Sequence, residues 1–126
     1  ADSPCGLALA GDRLYVPAGI VADRYPLVIY DTVRGTVVRR EGLIREGVSA
    51  MAVHGGHLFL GDGTVIRQFD LADPDHPAAV AEYTADRAAD DPDQRSNFTT
   101  IAVVGDRIYA RKYSRVAAWR IFGGEE

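Results

Sequence analysis

Short apolar stretches separated by turn residues recur along the whole chain. In residues 51–60 an apolar stretch runs into a Gly-Gly pair and then into a second apolar stretch, in which Leu precedes Phe. Residues 7–16 and 101–110 have the same order, with Gly-Asp at the turn and Leu or Ile before Tyr. Two apolar stretches joined by such a pair are typical of a β-hairpin. The sequence therefore predicts three copies of one hairpin.

The repeat extends beyond the hairpin to a third strand. The spacing from Ala52 to Phe69 equals the spacing from Ala102 to Trp119, and the corresponding aromatic residue of the first copy is Tyr30. The first copy carries extra residues in its 17–26 connection. The predicted third strands are residues 27–30, 65–69 and 116–119, and a fourth strand follows in the first two copies at 36–40 and 78–83. A four-stranded unit that recurs at this period is typical of a β-propeller blade.

The register of the repeat predicts three sets of equivalent positions. Small residues occupy the first strands, where the units converge and larger side chains do not fit. Aromatic residues of the second strands are structural, and those of the third strands pack between neighbouring units. These sets are Ala8, Ala52 and Ala102; Tyr15, Phe59 and Tyr109; and Tyr30, Phe69 and Trp119.

Composition sets the outer limits. The 126 residues are 47% hydrophobic and 25% charged, as expected of one globular domain spanning residues 1–126. The net charge of -4 argues against a nucleic-acid partner, because a phosphate backbone requires a clustered basic face. No apolar run approaches the roughly 20 residues that a membrane-spanning helix needs, so no transmembrane segment is predicted.

Two further segments carry a resemblance to known repeats. In the second copy, the apolar residues Val65 and Ile66 precede Phe69 and Asp70, and a Pro-x-x-Pro turn follows at 74–77. Residues 31–38 combine Asp, Gly and paired valines. The chain resembles the LVIVD-type and the YncE- and NHL-like propeller repeats of bacterial extracytoplasmic proteins, and 31–38 is similar to quinoprotein blades. The WD40-like and YVTN-like propellers belong to the same architecture. The resemblance covers nearly the whole chain.

The resemblance implies an all-β fold of three consecutive four-stranded blades, at about residues 4–46, 47–84 and 97–126, in a periplasmic or secreted protein. The third blade lacks its outer strand, since the chain stops at Glu126. Propellers close with about four to eight blades. Three blades therefore predict part of a larger or oligomeric propeller, completed by a protein partner, by self-association or by further sequence.

Members of these families usually serve as platforms for binding or assembly. The leading hypothesis is a non-catalytic interaction or scaffold module that binds a protein partner or completes a larger propeller. The alternative is a fragment of a propeller enzyme, either a hydrolase or a quinoprotein-like oxidoreductase, whose catalytic residues lie elsewhere. No catalytic residue and no cofactor are predicted within this chain.

The longest irregular stretch, residues 84–97, is rich in carboxylates. Clustered carboxylates are potential Ca²⁺ ligands, but the alternating spacing and the positioned Gly of a calcium loop are absent. The favoured interpretation is a mobile, solvated loop that contributes little to stability. The candidate calcium ligands are Asp86, Asp90, Asp91 and Asp93.

Other chemically reactive residues have simpler explanations. His54 and His57 flank the Gly-Gly turn and form either a metal-binding pair or, as we favour, two exposed turn residues. Cys5 is the only cysteine, which favours a small buried residue over a nucleophile. Residues 61–63 (Gly-Asp-Gly) and 73–77 predict tight turns. The mixed charges of residues 39–46 predict a solvated edge and link, with a docking edge as the alternative.

Overall fold

The computed structural model describes residues 7–17, 25–44, 48–62, 65–84, 100–112 and 115–123. In these residues the regular structure consists of antiparallel β-strands, as the sequence predicts. The strands are β1 (Ala8–Ala10), β2 (Arg13–Pro17), β3 (Tyr25–Asp31), β4 (Thr36–Ile44), β5 (Val48–His54), β6 (His57–Asp62), β7 (Val65–Asp70), β8 (Ala78–Thr84), β9 (Thr100–Val104), β10 (Arg107–Lys112) and β11 (Arg115–Arg120).

The strands form three sheets in which each strand pairs with the next along the chain. Sheet 1 has the order β1-β2-β3-β4, sheet 2 has β5-β6-β7-β8, and sheet 3 has β9-β10-β11. The first hairpin turn of sheets 1 and 3 begins with a glycine at positive φ, 60° at Gly11 and 61° at Gly105. Side chains with a Cβ rarely adopt this conformation. Within the described residues, sheet 3 has no fourth strand, as expected from the sequence.

The three sheets share one register, which confirms the predicted equivalence of the repeat positions. In each sheet the backbone N–H that follows the third strand donates to a carbonyl of the first hairpin turn. These bonds are Thr32 to Asp12 at 2.9 Å, Leu71 to Gly56 at 2.9 Å and Ile121 to Asp106 at 2.7 Å. The predicted alanines oppose the predicted aromatic residues of the second strand in every copy: Ala8 opposes Tyr15, Ala52 opposes Phe59, and Ala102 opposes Tyr109.

The sheets pack face to face through two hydrophobic clusters. The first cluster lies between sheets 1 and 2, and the second lies between sheets 2 and 3. Strand β5 lies beside both β1 and β9, so the first strands adjoin one another. The buried members of the first cluster are Tyr15, Leu27, Ile29, Ile44, Val48, Leu58, Leu60 and Phe69. Those of the second are Ala50, Phe59, Ile66, Tyr83, Ile101, Ile108, Ala110 and Trp119.

The third-strand aromatic residues differ in burial according to the sheet that carries them. Phe69 and Trp119 are buried between sheets, as predicted. Tyr30 is only half-buried, because it lies on the outer face of sheet 1, which no other described sheet covers. Sheet 2 is therefore the one sheet that the described residues cover on both faces.

The strand ends differ from the predictions at two places. Gly61 and Asp62 belong to strand β6, where both are buried, and Asp62 pairs with Val65 of the next strand; Gly63 of the predicted 61–63 turn lies outside the described residues. Strand β4 extends beyond its predicted end to Ile44, which is 6% exposed because it packs in the first cluster. It is the edge strand of sheet 1, and Arg39 and Arg40 are exposed on it, as the sequence predicts.

Several sequence-based predictions fall wholly or largely outside the described residues. They include the mobile loop and its calcium candidates Asp86, Asp90, Asp91 and Asp93, and also Cys5. The turn predicted at 73–77 is present, with the N–H of His76 donating to the carbonyl of Asp73 at 3.0 Å. In the described part of the chain, no helix has the length and apolar character needed to cross a bilayer.

Candidate interaction faces

An arginine and a tyrosine on β2 hold the turn between β7 and β8. Arg13 and Tyr15 are two residues apart on one strand, so both side chains project from the same face of sheet 1. The Nε of Arg13 lies 2.6 Å from Oδ1 of Asp75. The hydroxyl of Tyr15 donates to the carbonyl of Pro74 at 2.8 Å. These two side chains connect sheet 1 to sheet 2 through polar contacts at the margin of the first cluster.

The turn that they hold is ordered by its own side chains. The N–H of Asp75 donates to Oδ1 of Asp73 at 3.2 Å, and Nδ1 of His76 lies 2.9 Å from the other carboxylate oxygen of Asp73. Asp-initiated turns of this kind are common because the carboxylate accepts bonds from nearby backbone groups. The turn 71–77 is longer than its counterpart 32–35 in sheet 1. Its extra residues place Pro74 and Asp75 against β2.

Charge reinforces this contact. The Arg13 guanidinium also lies 3.0 Å from Asp12 and 3.5 Å from Asp31. The hydrogen bond to Asp75, followed by the negative charges around it, raises the pKa of Arg13. The hydrogen bond from Arg13 lowers the pKa of Asp75 below its usual 3.8. Backbone N–H donors, first that of Arg34, lower the pKa of Asp31.

The environment of Tyr15 keeps its phenol neutral. The side chain is fully buried. Burial, together with the nearby negative charge of Asp75, raises the pKa of Tyr15 to about 12. A neutral hydroxyl is required for the bond to Pro74, since the phenolate cannot donate.

The interface between sheets 2 and 3 has different side chains at the position equivalent to the Arg13 and Tyr15 contact. His57 occupies the position of Arg13, and its ring packs edge-on against that of Phe122, with 6.3 Å between the ring centres. The indole Nε1 of Trp119 donates to the carbonyl of Thr84 at 3.1 Å. The Tyr83 hydroxyl accepts from the N–H of Phe122 at 2.8 Å and donates to Oε1 of the buried Gln68.

A buried arginine was not identified from the sequence. Arg67 on β7 lies 3.4 Å from Asp62 and 3.5 Å from Glu82, and its guanidinium is 5.0 Å from the centre of the Phe69 ring. It also donates to the carbonyl of Leu43 at the end of β4. The Gly-Asp-Gly sequence at 61–63 indicates a turn, and a turn gives no reason to expect that Asp62 pairs with Arg67. A signal for it is the presence of Val65, Ile66 and Phe69 in the same short segment, which predicts a buried strand and hence a partner for the charge.

The outer face of sheet 3 is open in the described structure. This face consists of Thr100, Ala102, Tyr109, Arg111 and Val116, which line a groove of about 240 Å³ together with Ala110. Tyr109 is 38% exposed and Val116 is 67% exposed. Because β-strand side chains alternate between faces, Arg107 projects from the same side as Tyr109. We call this surface the open face of sheet 3.

The outer face of sheet 1 is a second open surface, and it is apolar. One row of side chains crosses the sheet: Leu9 opposes Leu14, Leu14 opposes Tyr30, and Tyr30 opposes Val37. Leu9 is 58% exposed. We call this row the open face of sheet 1.

The predicted metal candidates do not assemble into a site in the described residues. His54 and His57 pair across the hairpin, as their spacing predicts, but both are half-buried rather than exposed. His57 also packs against Phe59, with 6.4 Å between ring centres. No group of three His, Cys, Asp or Glu side chains with metal-binding proximity occurs in the ranges that the structure describes.

Comparison with known proteins identifies similar folds alone. No protein-family model matches the chain, and no curated protein matches it. Among solved structures, the computationally designed Ika4 protein is similar with a TM-score of 0.70 and 13% identity, over 97% of this chain and 68% of Ika4. The computationally designed Ika8 protein is similar with a TM-score of 0.66 and 13% identity, over 93% of this chain. The chain spans 33% of the length of Ika8.

Proposed function

We propose that this chain is a non-catalytic interaction module made of three consecutive blades of a larger β-propeller. Its two open faces are covered by other β-sheets, contributed by a longer polypeptide or by a second chain. The repeat register supports this proposal, because each open face corresponds to a surface that is buried elsewhere in the same molecule.

The correspondence is residue by residue. On the open face of sheet 3, Tyr109 takes the position that Tyr15 and Phe59 take on sheets 1 and 2. Both of those residues are fully buried, in contrast to Tyr109. The outward surface of sheet 3 thus repeats two surfaces that are covered by a neighbouring sheet.

The open face of sheet 1 corresponds to the face of sheet 2 that packs against the preceding sheet. Its residues Leu14 and Tyr30 correspond to Leu58 and Phe69 of sheet 2, which pack against sheet 1 and are fully buried. Burying a large apolar side chain contributes roughly 1.5–3 kcal/mol. Covering the exposed residues of both faces therefore favours association with further sheets, as in a closed ring of four or more blades.

The binding of an apolar dye and light scattering of the isolated chain test this proposal. We expect the folded chain to bind the dye and to self-associate as its concentration rises, because both faces are accessible. Substitution Val116→Glu should weaken both effects. Val80→Glu is the matched control, since Val80 is 41% exposed on the edge strand of sheet 2, away from both open faces.

A stable monomer that unfolds cooperatively and binds no dye would contradict the proposed function. Equal effects of Val116→Glu and Val80→Glu would contradict the assignment of the association to the open face of sheet 3.

A further inference from the structure

A short motif occurs twice in the chain and has two different surroundings. Residues 11–13 and 105–107 are both Gly-Asp-Arg, and a Tyr follows two residues after each Arg. In both copies the motif forms the first hairpin turn and the start of the second strand. Sheet 2 has His57 and Phe59 at these positions and so has neither the guanidinium nor the phenol.

In sheet 1 the motif binds a turn of the adjacent sheet. Arg13 supplies a guanidinium to a carboxylate, and Tyr15 supplies a hydroxyl to a backbone carbonyl. The side chain of Arg13 is 17% exposed in this contact, while that of Arg107 is 41% exposed. Arg107 lies 3.6 Å from Asp106, as Arg13 lies beside Asp12. The third copy therefore repeats the geometry of the first, without an adjacent turn in the described structure.

We propose that Arg107 and Tyr109 bind an acidic turn of a further antiparallel sheet that docks on the open face of sheet 3. The turn joins the third and fourth strands of that sheet and carries a carboxylate beside an accessible backbone carbonyl, as Pro74 and Asp75 do. This inference rests on the proposed function, and it specifies the chemistry of the partner sheet.

Two further arginines lie on the same face. Arg111 lines the groove, and Arg120 is the cross-strand neighbour of Arg107. Asp106 lies 3.6 Å from Arg107 and 4.0 Å from Arg120. Guanidinium groups form strong charge-assisted hydrogen bonds with carboxylates, so this face is suited to a carboxylate-bearing partner.

A second copy of this chain does not match that chemistry. The corresponding turn of sheet 1, residues 32–35, is shorter than 71–77 and carries Arg34, whose side chain is 82% exposed. The nearby carboxylate of Asp31 already accepts from the N–H groups of Val33 and Arg34. Docking sheet 1 of another copy would bring Arg34 towards Arg107, and like charges disfavour such a contact. Self-association of identical copies through the apolar residues of these faces is therefore weaker than docking of a sheet with an acidic turn, and such a sheet is the expected partner.

A turn graft tests the proposal directly. Replacing residues 32–35 with the sequence of residues 71–77 gives sheet 1 the acidic turn that sheet 3 is expected to bind. Sedimentation velocity should show concentration-dependent head-to-tail association of the grafted chain, at least about tenfold tighter than that of the native chain. Adding Arg107→Ser should abolish this gain, and Tyr109→Phe should reduce it about tenfold, which corresponds to 1.4 kcal/mol.

The control graft has the same length but serine in place of both aspartates, and it should associate no more than the native chain. Circular dichroism establishes that each variant is folded. If the graft does not fold, Arg34→Asp provides the decisive measurement, because this single exposed substitution supplies a carboxylate in the native turn. Its association should exceed that of the native chain, more so at low salt, and should be lost with Arg107→Ser.

If the graft folds and associates no more than the native chain, the proposal is overturned. If the graft does not fold, the same result for the folded Arg34→Asp variant overturns it. A different result contradicts the proposed function, namely a native chain that stays monomeric and does not bind the apolar dye.

Discussion

The same residue type has opposite surroundings at Tyr15 and Tyr109. Both lie opposite an alanine of the first strand and follow the same Gly-Asp-Arg sequence. Tyr15 is fully buried and bonded to Pro74, whereas Tyr109 is 38% exposed. The difference arises from the presence of a neighbouring sheet, so the two positions separate the effect of sheet packing from that of local sequence.

The first prediction concerns the hydroxyl of Tyr15. We expect Tyr15→Phe to lower the free energy of unfolding by about 1 kcal/mol or slightly more, because the carbonyl of Pro74 loses its donor. Tyr109→Phe is the matched control and should change it by less than about 0.5 kcal/mol, as is usual for exposed positions. Urea denaturation of both variants measures the difference. Equal losses would show that the bond to Pro74 does not stabilise the interface.

The second prediction concerns acid. Asp75 and Asp31 have folded-state pKa values below the usual 3.8. A carboxyl group whose pKa is lowered by folding stabilises the protein above its unfolded pKa, and this contribution is lost as the pH falls through the folded pKa. We therefore expect stability to decrease from about pH 5 downwards, and to do so less steeply in Arg13→Gln.

Urea denaturation between pH 6 and about pH 2 measures these slopes. Arg34→Gln is the control, because Arg34 is largely exposed and lies 3.9 Å from Asp31. Exposed pairs of this kind contribute little. If stability falls with decreasing pH as steeply in Arg13→Gln as in the native chain, Arg13 does not stabilise the charged form of these carboxyl groups.

At the scale of the element, the strand pairs follow from the sequence and the strand ends do not. Alternating apolar residues and Gly-containing turns identify each hairpin, because pairing and turn geometry are local. The end of β6 depends instead on the pairing of Asp62 with Arg67. The end of β4 depends on burial of Ile44 in the first cluster. Both involve side chains brought together by tertiary packing, which a turn motif does not reveal.

The third prediction compares two equivalent third-strand aromatic residues. Phe69 is fully buried between sheets 1 and 2, so Phe69→Ala should cost about 3–5 kcal/mol through loss of burial and formation of a cavity. Tyr30→Ala should cost about 1 kcal/mol or less, because Tyr30 is half-buried on the open face of sheet 1. Thermal and urea unfolding followed by Trp119 fluorescence measures both.

A large loss in Tyr30→Ala would mean that the open face of sheet 1 is covered in the isolated chain, for example by self-association. Repeating the measurement at several protein concentrations separates this case, since a stabilising association makes the transition depend on concentration.

At the scale of the whole molecule, the sequence predicts three repeated units but not the contacts between them. The all-β class and the equivalent triplets are correct because they rest on spacing. The contact between Arg13 and Asp75 was not predicted, since the residues are 62 positions apart and meet only when sheet 1 stacks on sheet 2. The signal that could have indicated it is the recurrence of Gly-Asp-Arg with Tyr, together with one acidic turn.

The direction of stacking has a consequence for how such a chain can change its length. At both described interfaces, the face that carries the second-strand aromatic residue packs on the face of the following sheet that carries the third-strand aromatic residue. Tandem duplication of a gene segment encoding one whole unit would therefore insert a sheet whose two apolar faces match those of its new neighbours. The turn at the margin differs between units, however: a second copy of sheet 1 would place Arg13 beside an exposed Arg34, so duplication of that unit would also require a change in the turn.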